Sequence, residues 1–452
     1  MINLKWLGVM VLALVATTGA YAQNMVGQPT NLTPGFNYTE LWGKIAWDGS
    51  KVSFTSLKGK VDGTGLDKDC YIATPDGTIL TKASPRPKNA EECGWLSPDG
   101  SKVVLHAFTA AAGGESGATE IYVVDLATGV STQMTYNTAY DAYPAWSPDG
   151  SKILFLSQRG VTGTQSYQVF VMDADRPEDT PANPTGNIPV QLTNPQGVDT
   201  STKAQCVRAI WSPDSTKILF LGSGWVDAPR TELYIMDAID TDYDKWGQNL
   251  VRLTDNINIR GTQVTLADPV QYFDGGRVFF TMGDRAGKFN IYSLDPTGTN
   301  KDIWQQTAGP FQADFICPSG NLKMMARISV DDNTNAGIGV ANTDVAIYSL
   351  VNDNTPGNLN GTLVSQVGQP APGYYVKLYN GYNTTPVAQT LTDENGHYEF
   401  TGLRPGGYYV EFTSDDTYPI QISTVNRGVI VPPGGTTVQN AFTSPRAAPR
   451  VR

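Results

Sequence analysis

Two histidines, His106 and His397, and a handful of acids are the side chains from which this 452-residue chain could build a reactive centre. The histidines stand in separate regions, so a Ser-His-Asp relay has no obvious set of partners. No G-x-S-x-G elbow occurs, since Gly114-Glu115-Ser116-Gly117 is one position short, and H-E-x-x-H, C-x-x-C, phosphate-loop and dinucleotide motifs are absent. What is left is carboxylate chemistry. Glu91, Glu92, Asp141, Asp268 and Asp314 each lie a few residues ahead of a repeated turn, in segments that would converge if those turns ring an axis. Together they could hold a Ca²⁺ ion, which takes six to eight oxygens and can act as a Lewis acid. The competing reading is a hydrated acidic channel with no specific ion.

The turns come from an internal repeat. Ser97-Pro98-Asp99-Gly100-Ser101-Lys102 returns as Ser147 to Lys152 and as Ser212-Pro213-Asp214-Ser215-Thr216-Lys217, after Trp95-Leu96, Ala145-Trp146 and Ile210-Trp211. Weaker copies stand at 47–51, 273–277 and 317–320, which makes six units roughly 45 to 65 residues apart. Pro presets the turn, Asp accepts its third position and Gly takes the positive φ that follows, so two antiparallel strands are joined tightly. A second signature follows in each unit, as in Glu120-Ile121-Tyr122-Val123-Val124-Asp125 and Gln168 to Asp173. A third, of Leu-Thr type, closes several: Leu80-Thr81, Met134-Thr135, Leu192-Thr193 and Leu253-Thr254. Each unit therefore reads as four short strands, the blade of a propeller. Trp146 and Trp211 are expected in the core between blades.

On these residues, the pattern AWSPDGSKILF…QVFVMD…QLT resembles the repeat of the TolB-type propeller family, which implies an all-β fold with a six-bladed β-propeller over residues 23–352. The sixth unit has no Leu-Thr strand after Tyr348. Gln28-Pro29-Thr30-Asn31-Leu32-Thr33 has that character but precedes the first unit, so residues 24–33 are expected to close the ring by adding to the last blade. Propellers of this family also front serine peptidases, but those need a hydrolase domain for which the chain has no room.

Asp353 to Asn360 reads as a polar linker, and the repeat stops there. Residues 361–443 show about seven short alternating strands, a small seven-stranded β-sandwich. Asp393-Glu394-Asn395-Gly396 followed by Tyr398, Phe400 and Leu403 resembles the carboxypeptidase-regulatory-like and surface-protein B-type domains. That resemblance implies a spacer, folding accessory or adhesion module, with His397 on a hairpin surface. The tail 444–452 reads as disordered.

Lys5, the apolar run Trp6 to Val15 and the small residues up to Ala20-Tyr21-Ala22 form a secretory signal peptide, with cleavage expected after residue 22. The protein is thus expected to be exported, either periplasmic or extracellular and cell-surface, with no transmembrane segment. Sequons at Asn31, Asn37, Asn360 and Asn383 matter only in a source that glycosylates asparagine. In an oxidising compartment Cys70, Cys93, Cys206 and Cys317 allow three full connectivities or free thiols; Cys70 with Cys93, from neighbouring blades, is the favoured pair. Lys and Arg number 32 against 43 Asp and Glu, a formal charge of −11, which makes nucleic acid a poor partner. The functional expectation is a non-catalytic binding or scaffold protein recognising a protein or cell-surface glycan through the propeller face. The alternatives are a metal-assisted hydrolase, lactonase or lyase in the acidic channel, and a structural subunit of an extracellular or periplasmic assembly.

Overall fold

The computed structural model describes residues 24–31, 40–46, 48–56, 69–83, 91–109, 118–159, 166–184, 186–194, 205–223, 231–239, 248–255, 258–259, 262–263, 266–273, 277–283, 289–306, 313–318, 323–329, 343–351, 355–380, 385–413 and 428–443. The signal segment 1–22, the sequons at Asn37 and Asn383 and the tail 444–452 lie outside them.

Six four-stranded antiparallel sheets form the blades. Their innermost strands are Glu40–Ile45, Glu91–Leu96, Asp141–Trp146, Gln205–Trp211, Leu266–Phe273 and Ala313–Pro318. Each inner strand neighbours the inner strand of the next blade, and Ala313–Pro318 returns to Glu40–Ile45, so the sheets complete a circle. In blades one to five the fourth strand comes from the same unit. In blade six the outer position beside Thr343–Val351 is taken by Asn24–Asn31, in antiparallel register from Asn24 opposite Val351 to Asn31 opposite Ala346.

The repeated motif shows why these residues make these hairpins. Ser97 Oγ donates to Asp99 Oδ1 at 2.6 Å, the Ser101 amide donates to the same oxygen, and Lys102 N donates back to Ser97 Oγ at 2.9 Å. Gly100 closes the turn at φ 64°. The same network recurs around Asp149 and Asp214, and these hydrogen bonds hold the Asp99 carboxyl down at about 2. The lysine that ends the motif meets the aspartate that ends the third strand: Lys152 with Asp173 at 2.5 Å and Lys217 with Asp237 at 2.6 Å. These are cross-strand partners, so the two signatures repeat together because they touch. The turns also bind one another, through Lys51 Nζ to Gly100 O and the Asp149 amide to Ser215 Oγ.

Between blades the core is aliphatic and aromatic. Leu154, Leu156 and Val169 of blade three meet Cys206, Ile218 and Phe220 of blade four in one buried cluster. Trp146 and Trp211 are buried as expected, and Trp211 Nε1 donates to Ala145 O of the preceding blade at 3.1 Å. Cys70 and Cys93 form a disulfide that ties blade one to blade two, while Cys206 is a buried free thiol pushed up to about 12 by burial.

The second domain is a sandwich of two four-stranded sheets. Tyr398, Phe400 and Leu403 fill its core. Gly396, at φ 71°, closes the hairpin from Asp393, and His397 on the following strand donates its amide to Asp393 Oδ1. Its strands depart from the expected set. The first runs Gly357–Val364, so residues 357–360 belong to the domain and not to a linker. Gly357, Leu359, Gly361 and Leu363 point inward while the asparagines between them face outward, and that alternation hides a strand among polar residues. Thr436–Val438 and Ala441–Phe442 add two short strands, giving eight among the described residues in place of seven. Residues 414–427, where the alternating pattern offers one of the seven strands at Ile420 to Ser423, lie outside the described residues.

The two domains are bolted together at the outer edge of blade five. Trp304 of that edge is 6% exposed and belongs to the sandwich core. Its indole donates to Pro405 O at 3.1 Å, and the Arg404 guanidinium lies 4.6 Å from its ring centre. Asp302 pairs with Arg404 at 2.9 Å and with Arg277 at 2.7 Å. The Asn380 side-chain amide satisfies both the N–H and the C=O of Gln305, as another strand would.

Deleting residues 24–33 should lower the melting temperature by about 10 °C or more, because it exposes a full strand edge and opens the ring; an unchanged melt would show that the pairing contributes nothing. Gly406 has φ 147°, and a Cβ there would sit 2.4 Å from Trp304 Nε1 and 2.8 Å from Gln305 O. Gly406→Ala should therefore loosen the joint and speed proteolytic cleavage between the domains several-fold at fixed temperature.

Candidate functional site

The acids singled out by sequence occupy the beginnings of inner strands, and the side chains of two of them, Glu92 and Asp141, are described. Asp141 opens the inner strand of blade three, is fully buried, and accepts from Ser157 Oγ at 2.5 Å, from Asn137 Nδ2 at 2.8 Å and from Arg159. Arg159 extends its other arm to Glu178 at 2.6 Å. Asp141 is therefore held by a guanidinium of its own blade. Glu92 Oε2 lies 3.5 Å from His106 Nε2. Among the described residues no three His, Cys, Asp or Glu side chains are placed to hold a metal; the side chains of Glu91, Asp268 and Asp314 lie outside the described set.

Next to Asp141 sits a polar latch that recurs from blade to blade. The threonine of the Leu-Thr signature accepts the backbone amide of the third strand and donates to the side chain that begins it. Thr135 bridges Ile121 N and Glu120, Thr193 bridges Val169 N and Gln168, and Thr254 bridges Leu233 N and Glu232. All three threonines are fully buried. In blade two the carboxylate also accepts from Asn137 N at 2.7 Å. Burial, reinforced by the Asp141 charge and opposed by these hydrogen bonds, pushes Glu120 up to about 7.

A second grouping surrounds a small cleft where the inner strands of four blades meet. Its lining includes Lys44 from blade one, Glu92, Trp95 and His106 from blade two, Tyr143 and Pro144 from blade three, and Arg208, Ala209 and Ile210 from blade four. Trp95 packs against four hydrophobic clusters that together span blades one to five. It also lines a second recess, with Trp146 and Trp211, on the side of the Pro-Asp turns. Its indole thus borders both recesses.

The cleft is aromatic and cationic. The Arg208 guanidinium carbon lies 4.1 Å from the centre of the Tyr143 ring, and Lys44 Nζ lies 5.9 Å from that of Trp95, both within cation–π range. Tyr143 also meets His106 and Tyr167 edge-on, and its amide donates to His106 Nδ1 at 3.4 Å. Tyr143 has φ 53° and Arg208 φ 46°, a backbone region that bulky side chains seldom enter. Each costs roughly 1–3 kcal/mol. Both sit where the inner strand slips register, between Ala142 and Ala145 and between Val207 and Ala209. Such bulges re-aim a side chain.

Sequence reasoning named Glu92 and His106 but missed Lys44, Trp95, Tyr143 and Arg208 as one group. A signal was present: Tyr143 and Arg208 both stand three residues before the Trp of the turn signature, so aligning the repeats superposes them.

Comparison with known proteins bears chiefly on the second domain. Residues 358–443 match the carboxypeptidase regulatory-like domain. The regulatory-like domain therefore covers the sandwich from its first strand to its last. Among curated proteins the chain is similar to Colossin-A of Dictyostelium discoideum, 26% identical over 35% of this chain and 1% of that protein. It is likewise similar to serine-aspartate repeat-containing protein D of Staphylococcus aureus strain Newman, 26% identical over 46% of this chain and 16% of that one. The chain thus spans a small part of either relative. Among solved structures it is similar to TolB from Acinetobacter baumannii, 19% identical with a TM-score of 0.41 over 58% of this chain and 53% of that one. The putative TolB from Agrobacterium tumefaciens gives 18% and 0.33, over 46% and 63%.

The raised Glu120 carboxyl has a stability consequence of definite sign. Above pH 4.5 the unfolded chain releases this proton while the folded chain keeps it until about 7, so folding loses stability as pH rises through that window and is flat beyond it. Glu120→Gln, which copies Gln168 of blade three, should remove the loss. Its melting curve should match wild type at pH 4 and lie several degrees higher at pH 8, a difference of roughly 3 kcal/mol at most; coincident curves at both values would contradict the buried, protonated carboxyl.

Proposed function

We propose that this chain is an exported, non-catalytic binding protein in which the propeller presents the Trp95 cleft to a protein or a cell-surface glycan, and the regulatory-like domain serves as a fixed docking module. The observation that carries this reading is the cleft itself. Four blades converge on one concave site of aromatic rings and cations, two of its residues are held in costly left-handed backbone, and Trp95 floors it. Strain of this kind persists where a surface must present a particular side chain, and a concave, largely apolar site with a few convergent polar groups is the usual form of a binding pocket. Export rests on the N-terminal signal segment and on the disulfide, which suits an oxidising compartment. The Asp141 carboxylate is already engaged by Arg159, Ser157 and Asn137, which favours recognition over metal-assisted hydrolysis.

Gentle affinity capture from the native source, with wild type beside a Lys44→Ala/Arg208→Ala double variant of unchanged melting temperature, tests the reading. A stoichiometric protein or glycan retained by wild type and lost from the variant is the expected result. Equal capture by both proteins, or capture by neither, would sink it.

A further inference from the structure

Blade five breaks the repeat at three buried positions. In blades two, three and four the residues of the third and fourth strands that turn toward the next blade are apolar. They are Val123 with Met134, Val171 with Leu192, and Ile235 with Leu253, each pair inside the hydrophobic cluster shared with that next blade. Strand register and backbone bonding put Ser293 and Gln306 at the same two places in blade five, on the side turned to blade six, and both are fully buried. The third change is Arg277, at the position of Lys152 and Lys217. Those lysines reach the aspartate that ends the third strand. In blade five that aspartate, Asp295, is taken by Lys301 at 2.9 Å, and Arg277 turns inward until 5% of it is exposed.

A polar run results. Arg277 Nε donates to Ser293 Oγ at 2.9 Å, Nη1 to the Asp302 carboxylate at 2.7 Å and Nη2 to Asp302 O at 2.6 Å. Gln306 Nε2 donates to the same serine oxygen at 2.9 Å, while Gln306 Oε1 is buried with no hydrogen-bond partner. The run thus leads from Asp302 at the edge of blade five to an unsatisfied amide oxygen at the interface with blade six. The sandwich closes its outer end, where Arg404 shares Asp302 with Arg277 and the domain covers Trp304. At the position of Trp304 blades three and four carry Val190 and Val251, which are 46% and 39% exposed. Their edges stand uncovered, whereas blade five places an indole there that only the sandwich keeps dry.

From these placements we infer that the docked sandwich keeps the propeller shut between blades five and six: when it lifts from Trp304, water enters along Arg277, Ser293 and Gln306 and the ring opens there. The physical reason is a difference between interfaces. A buried guanidinium with one carboxylate, and an amide oxygen with no partner, both gain hydrogen bonds as soon as water reaches them. The apolar pairs of blades two to four lose free energy on the same exposure. Opening is therefore cheapest at the one interface whose outer end a second domain covers. This goes beyond the binding reading and holds whatever ligand the propeller takes.

Hydrogen exchange of the full chain, read by mass spectrometry, is the test. The double variant Arg404→Ala/Gly406→Ala lifts the sandwich, and faster exchange over residues 302–306 reports that it has lifted. The same variant should exchange about tenfold faster than wild type along the blade-six strand Ala313–Pro318. The strands Lys102–Phe108 and Lys152–Ser157 of blades two and three should keep their wild-type rates. Adding Arg277→Lys, Ser293→Ile and Gln306→Leu gives blade five the residues of blade four. It should return Ala313–Pro318 to the wild-type rate while 302–306 stays fast, and Gln306→Leu alone should bring it part of the way. Fast exchange confined to 302–306, fast exchange in all six blades alike, or a strand Ala313–Pro318 that stays fast after these substitutions would each overturn the inference. Unchanged exchange throughout would overturn it as well, since the Arg404 and Gly406 contacts would then hold nothing shut.

Discussion

Closure of the ring is the constraint on which everything else in the propeller depends. A blade is a small twisted sheet that buries its faces only against its two neighbours, so its stability is the sum of two interfaces. A first blade without a last one beside it would leave half of its apolar surface in water. The chain meets this by giving its first described strand, Asn24–Asn31, to its last sheet. That pairing joins the beginning and the end of the propeller by backbone hydrogen bonds, which no side-chain substitution can easily imitate. The Cys70–Cys93 bond acts in the same sense between the first two blades.

Within the closed ring, two polar devices let buried backbone ends be satisfied. On one side the Ser-Pro-Asp-Gly-Ser-Lys turn folds its own side chains back onto its amides, so that a tight hairpin can lie against the hairpin of the next blade. On the other the Leu-Thr strand places its leucine in the inter-blade core, with Leu192 and Leu253 fully buried, and uses its threonine to accept an amide that would otherwise lack a partner. Glutamate and glutamine alternate as the receiver of the threonine hydroxyl. The latch thus needs an acceptor there and tolerates either charge state, which is consistent with a carboxyl that holds its proton to about neutral pH.

How much of this was legible follows from what each residue is used for. The turn and strand signatures could be read directly because their residues interact locally, within six positions or across one hairpin. The sandwich core of Tyr398, Phe400 and Leu403 was legible for the same reason, through period-two alternation. The direction of the inner-strand residues was not. A register slip in each of the six inner strands changes which face a residue takes, and Asp141, which looked axial by simple alternation, is fully buried against Ser157 and Arg159. The strand at Gly357–Val364 was masked by its asparagines. The union of Trp304 with Arg404, a hundred residues apart and in different domains, leaves no local pattern at all.

That union has a mechanical meaning. The chain leaves blade five at Trp304–Gln305, builds blade six, and only then forms the sandwich, which reaches back past blade six to grip blade five. Blade six thus has the N-terminal strand on its outer edge, while the sandwich that follows it in the chain is tied to blade five. A pull on the C-terminal domain would therefore also meet the Trp304 contact, with its packed rings and paired charges. The sandwich acts as a clasp on the ring, and a load-bearing attachment made there reaches the propeller through its fifth blade as well as through its seam.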